Sequence, residues 1–135
     1  MIQFTSNLAA VSADLERVAK LRLFAAAQHY RTAMLTTLSG SRGGKTYPVP
    51  GTRRTYTASA PGEAPAVMLG DLRRSVRVGS PEVTPTGIKI SVGSDLQKAA
   101  WLEFGTSKMR PRPAWKPTMQ AEQSALKAIV EARWF

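Results

Sequence analysis

The sequence predicts an α+β domain: a small antiparallel β-sheet with a long N-terminal helix and a C-terminal helix packed on it, plus a long mobile loop. Three observations predict this. The stretch from Ser6 to Leu38 holds neither proline nor glycine and is rich in Ala, Leu and Arg, all good helix formers. The runs Ser75-Val76-Arg77-Val78-Gly79 and Ile88-Lys89-Ile90-Ser91-Val92 alternate apolar and polar residues, as half-buried strands do. Leu126, Val130 and Trp134 recur at i, i+4 and i+8, which is one stripe of an amphipathic helix.

At the start of the chain, Ile2 and Phe4 alternate with Gln3 and Thr5 as a short edge strand would. Ser6 or Ser12 caps the first helix. That helix carries two apolar stripes, Leu8-Val11-Leu15-Val18 and Leu23-Ala27-Tyr30-Met34-Leu38, rotated from each other by more than a right angle. Either the helix kinks near Lys20, or one stripe faces the core and the other a neighbouring subunit. In a lone small domain the second stripe would be hard to cover.

Residues 39–66 read as a basic loop. Six glycines or prolines precede Pro61, and Arg42, Lys45, Arg53 and Arg54 stand against Glu63 alone. A structureless loop of this length in a small domain is functional or folds on a partner, so it is expected to be disordered alone and ordered on assembly. Asp71-Leu72-Arg73-Arg74 reads as one helical turn. The two alternating runs then form a hairpin across 75–92, punctuated by Pro81, Pro85 and Gly87, with Val76, Val78, Ile88, Ile90 and Val92 on the face towards the helices. Ser94-Asp95 caps a short helix through Leu96, Ala99, Ala100 and Leu102. Thr118 caps the last helix, with Glu122 in its first turns. Trp134 and Phe135 are costly to leave bare, so they pack into the domain or a neighbour.

The 135 residues suit one domain with a modest core. No run approaches the roughly 20 apolar residues of a membrane span. The N-terminus lacks the pattern of a signal peptide. There are no cysteines, which excludes disulfides and thiolate metal sites and fits a reducing cytoplasm. The net charge is +10, from 19 basic and 9 acidic residues. Residues 1–38, 39–70, 71–98 and 99–135 carry excesses of +2, +3, +2 and +3, a spread that favours a general electrostatic role near a polyanion over a dedicated reading head.

Catalytic patterns are sparse. Ser39-Gly40-Ser41-Arg42-Gly43-Gly44-Lys45-Thr46 ends like a phosphate-binding loop, but a helix precedes it, Tyr47-Pro48-Val49-Pro50 follows, and Ser39 replaces the first glycine. His29 is the only histidine and sits inside a helix, without a second histidine or cysteine to share a metal. No serine has a nucleophile elbow, and the spacing of Asp71, Asp95 and Glu103 suggests no carboxylate pair. The expectation is a non-enzyme with no metal and no cofactor.

The distinctive block is Ala100-Trp101-Leu102-Glu103-Phe104-Gly105-Thr106, followed by the strap Ser107-Lys108-Met109-Arg110-Pro111-Arg112-Pro113-Ala114-Trp115-Lys116-Pro117. An aromatic–acid–aromatic cluster runs into a glycine turn and then an arm with four basic residues, no acid and three prolines that hold it extended. An acid between Leu102 and Phe104 is partly buried and needs a partner, for which Arg73, Arg74, Arg110 and Arg112 are candidates. Trp115 could stack on nucleic acid, but an aromatic in such an arm more often anchors a protein contact.

This block resembles the Glu-Phe-Gly-Thr, then Arg-Pro-x-x-x-Pro signature of tailed-phage tail-completion proteins, small head–tail joining tail components. Pro61-Gly62-Glu63-Ala64-Pro65 leading into Leu69-Gly70-Asp71-Leu72-Arg73-Arg74-Ser75-Val76 is similar to a second stretch of that family, and the order of elements is similar over most of the chain. Family members place Phe directly after the Arg-Pro pair; here Ala114 sits there and Trp115 follows.

The resemblance implies a structural virion protein of a long-tailed phage: a neck ring subunit, commonly six-fold, joining the tail to the head connector around the DNA channel. It implies assembly in the host bacterial cytoplasm, residence in the virion, and neighbouring neck and tail proteins as partners. Genomic DNA would pass close by without sequence-specific contact, and no membrane is involved. The expected subunit contact comprises Trp101, Glu103, Phe104, Gly105, Thr106, Arg110, Arg112, Pro113, Trp115, Trp134 and Phe135, with the second stripe of the first helix as a further covering surface. Arg42, Lys45, Arg53 and Arg54 would face the channel or a partner. The alternatives are a tail-terminator or head-closure protein of the same neck, or, in a different class, a small basic DNA-binding protein.

Overall fold

A computed structural model describes residues 8–40, 42–60, 62–66 and 70–132, with side chains from residue 12 onward. The expected strand at Ile2 and Phe4, a cap at Ser6 and the contacts of Trp134 and Phe135 lie outside these residues. The elements run α1 (Leu8–Ser39), β1 (Thr46–Pro48), β2 (Thr55–Thr57), α2 (Asp71–Ser75), β3 (Arg77–Val78), β4 (Glu82–Thr84), β5 (Gly87–Lys89), β6 (Val92–Gly93), α3 (Gln97–Phe104) and α4 (Trp115–Glu131). The α+β class holds: two main helices with small antiparallel sheets.

At 1.5 Å rise per residue, the 32 residues of α1 extend about 48 Å. The helix is continuous through Lys20, and Ser12 lies inside it rather than at its cap. Its C-terminal half carries hydroxyl residues that would otherwise favour non-helical backbone. Thr32, Thr36, Thr37 and Ser39 instead donate to the carbonyls four residues back. Beyond the end of the helix, Arg42 folds back and donates to the Thr37 carbonyl, one of the acceptors a helix C-terminus leaves unpaired.

The two stripes of α1 have opposite fates. Tyr30, Met34 and Leu38 form the core with Val76 and Ala114, and Leu72, Val92, Trp115 and Leu126 pack against them. The second stripe is therefore internal, which corrects its assignment to a neighbouring subunit: α4 and the long hairpin cover it within this chain. Leu15 of the first stripe is exposed, as are Leu21 and Phe24. The apolar excess of α1 thus lies towards its N-terminal half.

Helix α4 runs antiparallel to α1. Thr37 and Thr118 share a hydroxyl hydrogen bond at 2.9 Å, His29 lies 2.7 Å from Glu122, and the Tyr30 hydroxyl donates to the Trp115 carbonyl at 2.8 Å. Thr118 is buried against α1, and α4 starts three residues before it. It is a packing residue rather than the expected cap, and Pro117 falls in the first turn, where its missing N–H costs nothing.

The 75–92 hairpin forms in two parts. Strand β3 pairs with β6 (Arg77 with Gly93, Val78 with Val92), and β4 pairs with β5 (Glu82 with Lys89, Val83 with Ile88, Thr84 with Gly87). Three residues, Gly79 to Pro81, face two, Ile90 and Ser91, so the register slips by one at a bulge where Pro81 has no N–H to give the ladder. Val76 is buried, and Val78, Ile88, Ile90 and Val92 are half-buried, as expected for the helix-facing side.

Residues 39–66 depart from the expectation of a loop without structure. Strands β1 and β2 form an antiparallel hairpin with Tyr47 opposite Tyr56, their rings 6.0 Å apart. The ladder continues through Ala58 N–H to the Lys45 carbonyl at 2.8 Å and Gly44 N–H to the Ala58 carbonyl at 2.9 Å. A Cβ on Gly44 would stand 2.4 Å from that carbonyl, so only glycine fits there. Val49 is buried at the tip. Thr and Tyr favour strands and Pro50-Gly51 marks a turn, so the hairpin had a sequence signal that the high glycine and proline content masked.

Candidate assembly surface and basic hairpin

The strap and α3 are organised by Glu103. Its Oε2 accepts from the Ala114 and Trp115 amides at 2.7 and 3.0 Å, and its Oε1 accepts from the Lys116 amide at 2.9 Å. Ala114, at the start of α4, supplies no cap of its own. Glu103 therefore caps α4 from another helix, with its negative charge at the positive end of the α4 dipole. The expected arginine partner is replaced by backbone amides because the chain reverses between α3 and α4. A local signal for this does not exist: the cap lies eleven residues upstream of the first amide it binds.

Gly105 makes that reversal possible. It ends α3 at φ +77°, and its amide donates to the Trp101 carbonyl at 2.8 Å. A Cβ there would lie 2.9 Å from both the Met109 carbonyl and the Pro111 Cδ. Thr106 and Met109 then exchange backbone hydrogen bonds at 2.9 and 3.3 Å, so the strap begins as a closed turn rather than extending throughout. The Arg112 amide donates to the Leu102 carbonyl at 2.6 Å, and its Nη1 donates to the Ser59 carbonyl and hydroxyl at 2.7 and 2.8 Å.

Of the expected contact residues, Glu103, Arg112 and Trp115 are thus engaged inside the chain. Trp115 is half-buried, its ring 6.3 Å from Tyr30, because the helix begins at Trp115 and turns the indole onto α1. Burial, and secondarily the charge of Glu103, pushes the Tyr30 hydroxyl up to about 12. Gly105 and Pro113 are half-buried; Thr106 and Arg110 are exposed. Phe104 is 80% exposed and Trp101 51% exposed. Three residues apart on α3, these two project from the same side as neighbours.

Two open concavities flank Trp115. One, of about 570 Å³, is lined by Leu23, Tyr30, Ile90, Met119 and Leu126; the other, of about 590 Å³, is lined by Ala99, Phe104, Pro113 and Gln120. Val92, Trp115 and Lys116 border both. An apolar groove and a projecting aromatic pair therefore occupy adjoining surface.

The basic residues of 39–66 divide in two. Arg42 donates to the carbonyls of Pro65 and Thr37 and serves the fold. Lys45, Arg53 and Arg54 are exposed on the hairpin. The hairpin base is fixed by Glu63, whose Oε2 accepts from the Gly43 and Ala60 amides at 3.0 and 2.8 Å. Those two amides, and then the nearby Arg42 and Arg112 charges, hold its carboxyl below the ordinary range. Asp71 is likewise lowered, first by its hydrogen bond from Lys98. Among the described residues, no group of three His, Cys, Asp or Glu side chains is placed to hold a metal ion, and no helix is long and apolar enough to cross a membrane.

Comparison of the chain with protein-family models, with curated proteins and with solved structures returned no match.

Proposed function

We propose that this chain is a structural subunit of a long-tailed phage virion, a tail-completion ring component of the neck that joins the tail to the head connector around the DNA channel. The observation that carries the reading is the aromatic pair Trp101 and Phe104. It stands out on α3, which ends at the Gly105 turn directly after Phe104. The Leu21 and Phe24 side of α1 adds a second exposed apolar surface. A protein that lives as a monomer gains nothing from exposing such groups together. A subunit that presents a projection and a groove associates with further copies, and a ring, commonly six-fold, is the closed form of that association. In the Glu-Phe-Gly-Thr block, on which the resemblance rests, Glu103 caps α4, Phe104 projects and Gly105 turns the chain.

Tail-terminator and head-closure proteins of the same neck would use the same surfaces. The basic hairpin favours one reading of another class, a small DNA-binding protein. That protein would bind duplex DNA below micromolar concentration as a free chain, whereas a ring subunit binds weakly until it assembles.

The test is Trp101→Ser together with Phe104→Ser, in the phage that carries this chain. Both side chains are largely exposed, so the variant is expected to stay soluble with an unchanged melting midpoint and to fail in joining tails to heads. Normal yields of joined particles would remove the docking role.

A further inference from the structure

We infer that the β1–β2 hairpin is a contact for the phosphate backbone of duplex DNA, made by Lys45, Arg53 and Arg54 with the Tyr47 hydroxyl among them. This deepens the neck reading and rests on it for the identity of the polyanion. The cations are presented from a folded frame rather than a loose loop. Its base is closed by Gly44 and Ala58, by Glu63 on two amides and by Arg112 on Ser59, and its tip is seated by buried Val49.

Strand alternation places Lys45, Tyr47, Tyr56 and Arg54 on one face of the ribbon, shared with Val49, which is buried while Lys45 and Arg54 remain exposed. Tyr47 is 45% exposed there, with its hydroxyl available as a phosphate donor. Arg53 adds a third charge at the tip. No acidic residue occurs between positions 40 and 62, and none of the ion pairs among the described residues involves these three cations.

Lys45 and Arg54 stand about four ladder steps apart, roughly 13 Å at 3.3 Å per residue. Cations distributed over that length can follow successive phosphates of a duplex strand, which rise about 3.4 Å each. Hydroxyl and ammonium donors to phosphate carry no sequence information, which suits DNA that must slide past.

The experiment is fluorescence anisotropy of a labelled, random-sequence duplex titrated with the full chain, as salt is raised from roughly 50 to 200 mM. The hairpin variant carries Lys45→Gln, Arg53→Gln and Arg54→Gln. A control carries Arg17→Gln, Lys89→Gln and Lys127→Gln, exposed sites elsewhere that lower the net charge by the same three. Both should keep the circular dichroism and melting midpoint of the parent. At about 0.9 per phosphate contact, the hairpin variant should flatten the slope of log K against log salt by about 2.7, equivalent to about 40-fold over that salt range. The control should keep the parent slope. An unchanged slope in the hairpin variant, an equal loss in the control, or no binding by the parent at the lowest salt would each overturn the proposal. The count of this chain in particles decides the neck reading separately, so a chain present in particles but lacking the hairpin slope would fail here alone.

Discussion

A carboxylate between Leu102 and Phe104 needs a charged or hydrogen-bonding partner, and Glu103 finds three backbone amides at the start of α4. Removing it orphans donors that a helix N-terminus cannot satisfy internally, and α4 has no cap of its own to fall back on. Glu103→Ala should therefore lower stability by about 2 kcal/mol, the upper end for loss of a helix cap, read as a lower urea midpoint. Glu103→Gln, which keeps an acceptor without the charge, should lie between. An alanine variant as stable as the parent would show that the cap contributes nothing. The need for a partner was legible in the sequence. Its identity was not, because the amides reach Glu103 only through the left-handed turn at Gly105 and the Thr106–Met109 reversal.

At the scale of elements, periodicity carried the long helix, the amphipathic helix and the alternating hairpin, because each buries a face whose spacing is printed in the chain. Which stripe of α1 would be internal was not printed. Both are apolar, and the choice is made by the partners α4, α2 and the long hairpin. The β1–β2 hairpin was hidden for a related reason: its strands are three residues each and its anchors, Glu63 and Arg112, come from outside it. Glu63 makes this anchor pH-dependent. Its folded pKa is lowered from 4.5, so the stabilisation is fully present above that value and is lost as pH falls through the lowered folded pKa. In an acid titration followed by NMR from about pH 6 to pH 3, the Gly43 and Ala60 amide resonances should move together, and Glu63→Gln should abolish that movement. Amides that stay still in the parent would show that the carboxylate does not hold the hairpin base.

At the scale of the whole molecule, one arrangement serves several ends. Charged residues that look alike in sequence are divided between holding the fold, as Arg42 and Arg112 do, and facing outward, as Lys45, Arg53 and Arg54 do. Aromatic residues are divided the same way: Tyr30 and Trp115 pack together, while Trp101 and Phe104 project. An outward set of one aromatic pair and one basic hairpin suits a subunit that touches its neighbours on one surface and DNA on another. The measurement that tests this most directly is quantitative mass spectrometry of purified phage particles, counting this chain against the major capsid protein. A low fixed number, one ring or two per particle, is the predicted result; absence from the particles would contradict the assignment to the neck.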